Sequence, residues 1–150
     1  MKWIIKAFDE LSPHELYAIL RLRAEVFVVE QNCVFQDMDD KDQDSYHVMG
    51  WENERLVAYT RLVPPGKTYS FPAIGRVVTS PAARGKGYGK ELMKKSIQQC
   101  EKLFGPLPVQ IGAQLYLEKF YISLGFTRTS DIYLEDGIEH IEMLRPSQNA

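Results

Sequence analysis

The run Arg84-Gly85-Lys86-Gly87-Tyr88-Gly89 gathers glycines and cations just ahead of a long, periodically apolar segment. Glycine lets a backbone approach a ligand closely and adopt left-handed conformations. If a helix starts there, the N–H groups of the loop and first turn point one way, and the helix dipole adds partial positive charge. Such a terminus holds phosphate, and Arg84, Lys86 and Lys90 add charge of the right sign. The chemistry indicated is recognition of a diphosphate-bearing cofactor. A P-loop does not fit: counting back from Gly89 puts Arg84 where its first glycine belongs, and Glu91 replaces its Ser or Thr. A dinucleotide fingerprint fails because Lys90 stands at its last glycine. On glycine spacing alone, a tight turn with solvated lysines is an equal reading.

The aspartates Asp37, Asp39, Asp40, Asp42 and Asp44 form a second concentration of charge. An EF-hand register beginning at Asp37 breaks at Lys41 and Asp42, so no metal site is expected. The stretch reads as a solvated loop. The functional alternative is that it borders an acceptor pocket with Glu30 and attracts a cationic amine. Cys33 and Cys100 form no CxxC pair and have no histidine beside them, so both read as structural.

The chain has 150 residues, 45% hydrophobic and 25% charged, which suits a single domain over 1–150 with its own core. Eighteen Lys and Arg against 20 Asp and Glu leave a net charge of −2, so neither nucleic acid nor an anionic membrane is an expected partner. The opening Met1-Lys2-Trp3-Ile4-Ile5-Lys6 is too short an apolar run for a signal peptide, and no run approaches a membrane span. Sparse cysteine suits a reducing cytoplasm.

The elements that must position these residues follow from periodicity. Trp3–Phe8 reads as a strand. Ser12-Pro13-His14-Glu15 is a capping-box helix start, with Leu16, Ile19, Leu20 and Phe27 on its apolar face. Tyr46–Trp51 and Leu56–Val63 make a hairpin around Glu52-Asn53-Glu54, and Ile74–Thr79 is a buried strand ended by Pro81. The helix after the glycines runs to Phe104, with Met93, Ile97, Cys100 and Phe104 on one face. Val109–Ala113 is a strand and Tyr116–Leu124 a helix. Thr127–Leu134 and Ile138–Leu144 form a hairpin around Glu135-Asp136-Gly137. The order β-α-β-β-β-α-β-α-β-β predicts an α+β sandwich: a mixed central sheet flanked by helices.

The run Val78-Thr79-Ser80-Pro81-Ala82-Ala83-Arg84-Gly85-Lys86-Gly87-Tyr88-Gly89 resembles the acetyl-CoA motif of GNAT-type N-acetyltransferases, Arg/Gln-x-x-Gly-x-Gly/Ala. Phe120-Tyr121-Ile122-Ser123-Leu124-Gly125-Phe126 resembles that family's second motif, an aromatic pair followed by Leu-Gly-Phe. The stretch 20–33 together with Ile111-Gly112-Ala113-Gln114 is similar to the ElaA subfamily, and that likeness extends over nearly the whole chain. The resemblance implies the GNAT acyl-CoA N-acyltransferase fold, whose sheet splays between the strand ending at Thr79 and the strand at Val109. It implies acetyl-CoA as cosubstrate, with the pantetheine arm on the backbone of Val77, Val78 and Thr79. The diphosphate would lie on the amides of Gly85, Lys86, Gly87, Tyr88, Gly89 and Lys90, beside Arg84.

Direct acetyl transfer to an amine needs a neutral amine, a polarised carbonyl and a protonated leaving thiolate. The resemblance places a general acid at Tyr121, which also shares a helix stripe with Leu117 and Leu124 and would be core on that ground. No carboxylate lies on Ile74-Gly75-Arg76-Val77-Val78. His140 and Glu142 alternate on one strand, face the same way and are candidate bases; His47 and Glu30 are further candidates. The competing reading of His140 and His47 is a polar strand residue facing solvent. The expected function is N-acetylation of a small-molecule or peptide primary amine, by a monomer or homodimer. The rival is a non-catalytic acyl-CoA-binding module.

Overall fold

A computed structural model describes residues 1–148. Among them, eight strands form one mixed sheet: β1 (Lys2–Ala7), β2 (Tyr46–Glu52), β3 (Arg55–Val63), β4 (Ala73–Thr79), β5 (Val109–Gln114), β6 (Thr127–Arg128), β7 (Tyr133–Glu135) and β8 (Ile138–Arg145). Their spatial order is β1-β2-β3-β4-β5-β8-β6, with β7 also on β8. Helix α1 (Pro13–Arg23) lies on one face, and α2 (Tyr88–Phe104) and the short α3 (Glu118–Ile122) lie on the other. No helix among the described residues is long and apolar enough to cross a membrane.

Local chemistry explains most boundaries. At the start of α1, the Ser12 hydroxyl accepts from the Glu15 amide and the Glu15 carboxylate accepts from the Ser12 amide. The β2–β3 and β7–β8 turns place Asn53 and Glu54, and Asp136 and Gly137, at positive φ, as two-residue type I′ hairpins require. Helix α2 buries Leu92, Met93, Ser96 and Cys100, and half-buries Ile97 and Phe104. Each fully buried apolar side chain of this size contributes about 1.5–3 kcal/mol. Burial pushes the Cys100 thiol up to about 12, which keeps it an inert core group.

Two expectations need correction. The helix expected over Tyr116–Leu124 is a 3₁₀ turn, Leu115–Leu117, followed by α3. The strand expected over Thr127–Leu134 is broken into β6 and β7. β6 pairs with β8 as Thr127↔Leu144, and β7 as Tyr133↔His140, a register shifted by two residues. In the interruption the Glu142 amide donates to Ser130 Oγ, and the Thr129 amide donates to the Glu142 carbonyl. Ser, Thr and Asp offer backbone groups local partners in place of a ladder.

Two irregularities shape the middle of the sheet. α1 continues into a π-helical stretch, Ala24–Glu30, which carries Glu30 and Gln31 to its end. In β4, Arg76 stands at φ 52 where the β3–β4 register shifts between Tyr59 and Arg61. A bulge bends its strand. Already past Ala73 β4 has left β5: these parallel strands pair at Ala73↔Gln110 alone.

Candidate functional site

The split between β4 and β5 is the centre of the site. Past Ala73 the edge of β4 facing β5 has no strand partner, so its backbone groups as far as Thr79 can bond an extended ligand. Val78 is buried towards α1, and Val77 packs on the α2 side. The open end of the split leads to the glycine loop. Gly85 and Gly87 sit at φ 83 and φ 79, and nothing lies within 4 Å of where either would carry a Cβ. Gly87 caps α2 without a side-chain hydrogen bond, and the first intrahelical amide is that of Glu91. The amides before it therefore face outward at the positive end of a 17-residue helix, as a phosphate site requires.

Two of the cations around this loop, Arg84 and Lys86, are paired. Glu30 takes both ends of the Arg84 guanidinium, at 2.7 and 2.6 Å, and Arg84 also donates to the Thr79 carbonyl at 3.4 Å. This pairing raises the Arg84 pKa and holds Glu30 below the usual carboxylate range. Lys86 lies 3.5 Å from Glu52, whose carboxylate also accepts from the Tyr88 hydroxyl. The loop's own backbone supplies the anion-binding character, while Arg84 is balanced by an acid from α1's extension.

Tyr121 lies on α3 and is 4% exposed, its ring edge-on to Phe120 at 5.2 Å and Phe126 at 5.9 Å. Burial raises its pKa, with Tyr116 adding to the shift, so the phenol stays protonated. It packs with Ile111, Ala113, Ile141 and Met143 on the α2 face. Glu142 and His140 alternate with Ile141 and Met143, so they face the opposite side of the sheet. Tyr121 thus lies on one face of the sheet, and Glu142 and His140 lie on the other.

Glu142 stands beside Gly112 of β5. Its carboxylate accepts from the Tyr133 hydroxyl at 2.9 Å and the Tyr69 hydroxyl at 3.1 Å. Burial, and then donation to Glu142, raise both phenols. The Tyr133 ring also stacks on His140 at 5.9 Å, linking the two candidate bases. His140 is not a solvent-facing residue: it is 8% exposed, with Nδ1 2.7 Å from the Ile138 carbonyl and Nε2 3.5 Å from Glu135. Because a carbonyl only accepts, Nδ1 carries hydrogen and Nε2 faces the carboxylate.

His47 is excluded as a base and is not exposed either. It is fully buried, donating from Nε2 to the Asp42 carbonyl at 2.9 Å and accepting at Nδ1 from Tyr59 at 2.6 Å. Burial lowers its pKa and keeps it neutral.

The aspartate stretch is only in part a solvated loop: Asp40 and Asp44 are exposed, but Asp37, Asp39 and Asp42 are held by arginines. Asp37 and Asp42 are buried. Arg23, fully buried, donates to Asp37 at 2.8 Å and Asp42 at 2.7 Å. Arg61 clamps Asp39 at 2.7 and 2.8 Å and reaches Asp42 at 3.0 Å. Arg76, the bulge residue, donates to Asp37 at 2.7 Å. With each of these carboxylates matched by guanidinium, the stretch offers little net attraction for a cationic acceptor, and Glu30 is spent on Arg84. Burial alone would raise Asp39 and Asp42, but the arginines outweigh it and hold both below the usual range. A carboxyl with a depressed folded-state pKa contributes stability above its unfolded value, near 4, and loses it as pH falls towards the folded value. The urea midpoint is therefore expected to be flat from pH 7 to about 5 and to drop steeply between about pH 4 and 3. A midpoint unchanged at pH 3 would remove these pairs from the stability of the fold. Among the described residues no group of His, Cys, Asp and Glu is arranged to hold a metal.

Tyr69, Gly112 and Tyr133 are the residues sequence reasoning missed. Tyr69 sits in an aperiodic loop 73 positions from Glu142, so no local signal marks it. Tyr133 stands across from His140 in the register set by the Asp136-Gly137 turn, but its reach to Glu142 is a diagonal contact that the pairing alone does not show.

The sequence matches the Acetyltransferase (GNAT) domain family over residues 9–145. It is 44% identical to Protein ElaA of Escherichia coli K12 over 147 residues, covering 97% of this chain and 96% of that protein. The crystal structure of Escherichia coli ElaA superposes with a TM-score of 0.90, over 96% of this chain and 98% of that one. An acyl-CoA N-acyltransferase from Pseudomonas aeruginosa superposes with a TM-score of 0.92 at 44% identity, over 97% and 99%. With the family model matched over most of the chain and ElaA alike in sequence and structure along nearly its whole length, this chain belongs to the GNAT acetyltransferases, in their ElaA-like branch.

Proposed function

We propose that the chain transfers the acetyl group of acetyl-CoA directly to a primary amine of a small molecule or peptide. The observation that carries this reading is the β4–β5 split opening onto the uncapped N-terminus of α2. The edge of β4 at Val77, Val78 and Thr79 would hold the pantetheine arm. The amides from Gly85 to Lys90 would hold the diphosphate, with Arg84 exchanging part of its bond with Glu30 for a phosphate oxygen. An arm entering from the loop extends towards the closed end at Ala73 and Gln110, which brings its acyl end close to Gly112 and Glu142.

Glu142, with His140 beside it, takes a proton from the incoming ammonium. The freed nitrogen bonds to the acetyl carbon as the carbon–sulfur bond breaks. Tyr121 protonates the departing sulfur from the other face and is reprotonated by the second proton the nitrogen sheds. The products are an N-acetyl amine, CoA thiol and one proton released to solvent. Each proton transfer supports about 10²–10⁴-fold of rate, and holding both substrates at the split supplies more.

Calorimetric titration with acetyl-CoA, followed by free-thiol release across a panel of amines, tests this. Binding with thiol release on at least one amine is the expected result. Binding without release on any amine supports an acyl-CoA-binding module. No binding removes the cosubstrate assignment.

A further inference from the structure

The Glu142 carboxylate is satisfied on one side only. Oε1 accepts from both phenols, while Oε2 is buried with no hydrogen-bond partner. A buried carboxylate oxygen without a donor is costly, and such groups mark places where something is bound or moved. The arrangement is specific to this pocket. A Cβ on Gly112 would lie 3.2 Å from the Tyr133 hydroxyl and 3.3 Å from the Tyr69 hydroxyl, so glycine here is what lets both phenols close on Oε1. Held this way, the carboxylate cannot turn, and Oε2 keeps its lone pairs for a third donor.

The charges on this face point to the identity of that donor. Arg23, Arg61 and Arg76 are committed to Asp37, Asp39 and Asp42. Among the described residues no cation is paired with Glu142. His140 stacks on Tyr133 and faces Glu135. Tyr69 also lines an open depression of about 500 Å³ with Ser70, Phe71 and Gln110, so the cluster adjoins that depression at the Tyr69 phenol.

We propose that Glu142 Oε2 is the ammonium-binding group of the acceptor site, set in place by Tyr69 and Tyr133 as positioning residues, and that the acceptor class is a primary alkyl- or arylalkylammonium with no carboxylate next to its nitrogen. A neighbouring carboxylate would be brought against Glu142 with no cation to offset it. Tyr69 and Phe71, which line the adjoining depression, favour an apolar or aromatic tail. This inference rests on the acetyl-transfer reading for the use of the site, but its binding test does not.

Phenethylamine and phenylalanine are a matched pair, differing only by the carboxylate beside the nitrogen. Titrating each into ¹⁵N-labelled protein should shift the amides of Gly112 and Glu142, with phenethylamine binding at least tenfold more tightly. Glu142→Gln should abolish the phenethylamine shifts. The double variant Tyr69→Phe/Tyr133→Phe should weaken phenethylamine at least fivefold and narrow its advantage over phenylalanine, an effect a purely structural role would not produce. Acetyl-CoA added to the same samples should shift Gly85, Gly87 and Gly89 equally in all of them. The proposal is overturned if phenethylamine leaves Gly112 and Glu142 unmoved up to 50 mM (roughly ten times a weak millimolar Kd), if phenylalanine binds as well, or if Glu142→Gln binds like the parent. Failure of the loop amides to respond to acetyl-CoA is a separate result and counts against the cosubstrate reading alone.

Discussion

Arg23→Ala is expected to lower the stability of the fold by about 3–5 kcal/mol, the cost of breaking a buried, hydrogen-bonded ion pair. Arg23 is fully buried and bridges Asp37 and Asp42, and its guanidinium lies 5.9 Å from the Tyr59 ring centroid. Burial would lower its pKa, but Asp42 and Asp37 outweigh that and raise it, so the group is a cation at any pH of interest. Truncation leaves the Nε and Nη1 partners short of a donor and opens a void beside Tyr59. Asp37 keeps Arg76 and Asp42 keeps Arg61, which holds the loss within that range. For a chain of this length the melting temperature should fall by about 10 °C. Arg23→Lys should lie between, since one ammonium cannot bridge two carboxylates in a fixed fork. Urea unfolding of both variants checks this; a loss below about 1 kcal/mol for Arg23→Ala would show that the network is not a structural hub. The consequence reaches the site, because Asp37 also anchors Arg76 at the bulge in the stretch of β4 that β5 leaves unpaired.

Tyr121→Phe is expected to cut kcat by about 100-fold, at the lower end of what a general acid supplies. Acetyl-CoA affinity should stay within about twofold, since the proposed contacts to the cosubstrate come from β4 and the glycine loop. The ring remains, so the packing against Phe120 and Phe126 is kept and the fold should be no less stable. Stability thus serves as the internal control. A kcat within threefold of the parent, with the fold intact, would assign Tyr121 to the core of the α2 face and leave the thiolate to be protonated by water. The two roles are not exclusive: burial is what keeps this phenol protonated, and so able to donate, while the same burial makes it look like packing.

The local order of elements was legible in the sequence because each carried its own chemistry. The Ser12–Glu15 box, the Asp136-Gly137 turn and the step of Met93, Ile97, Cys100 and Phe104 each involve neighbours within a turn or a strand. The glycine loop was legible for the same reason, since helix-start amides and left-handed glycines are properties of a few adjacent residues. The family likewise followed from two contiguous runs in the right order.

What tertiary structure decided is every pairing across long separations. Five aspartates in eight residues looked like a solvated loop because the partners of Asp37, Asp39 and Asp42, namely Arg23, Arg61 and Arg76, come from α1, β3 and β4. Charge composition is the same whether those groups face water or one another; only the fold sets the distance, and the distance sets the sign of the result. Glu30 looked free until Arg84 was found on it, 54 positions away. Glu142 and His140 were readable as same-face neighbours from the period of a strand, but the phenols that orient the carboxylate were not. One is brought in by an aperiodic loop, and the other reaches Glu142 diagonally across the β7–β8 hairpin, a contact set by side-chain reach and not by pairing. Period and propensity act over a few residues, whereas the site is assembled by sheet register and loop closure, which no short window of sequence contains.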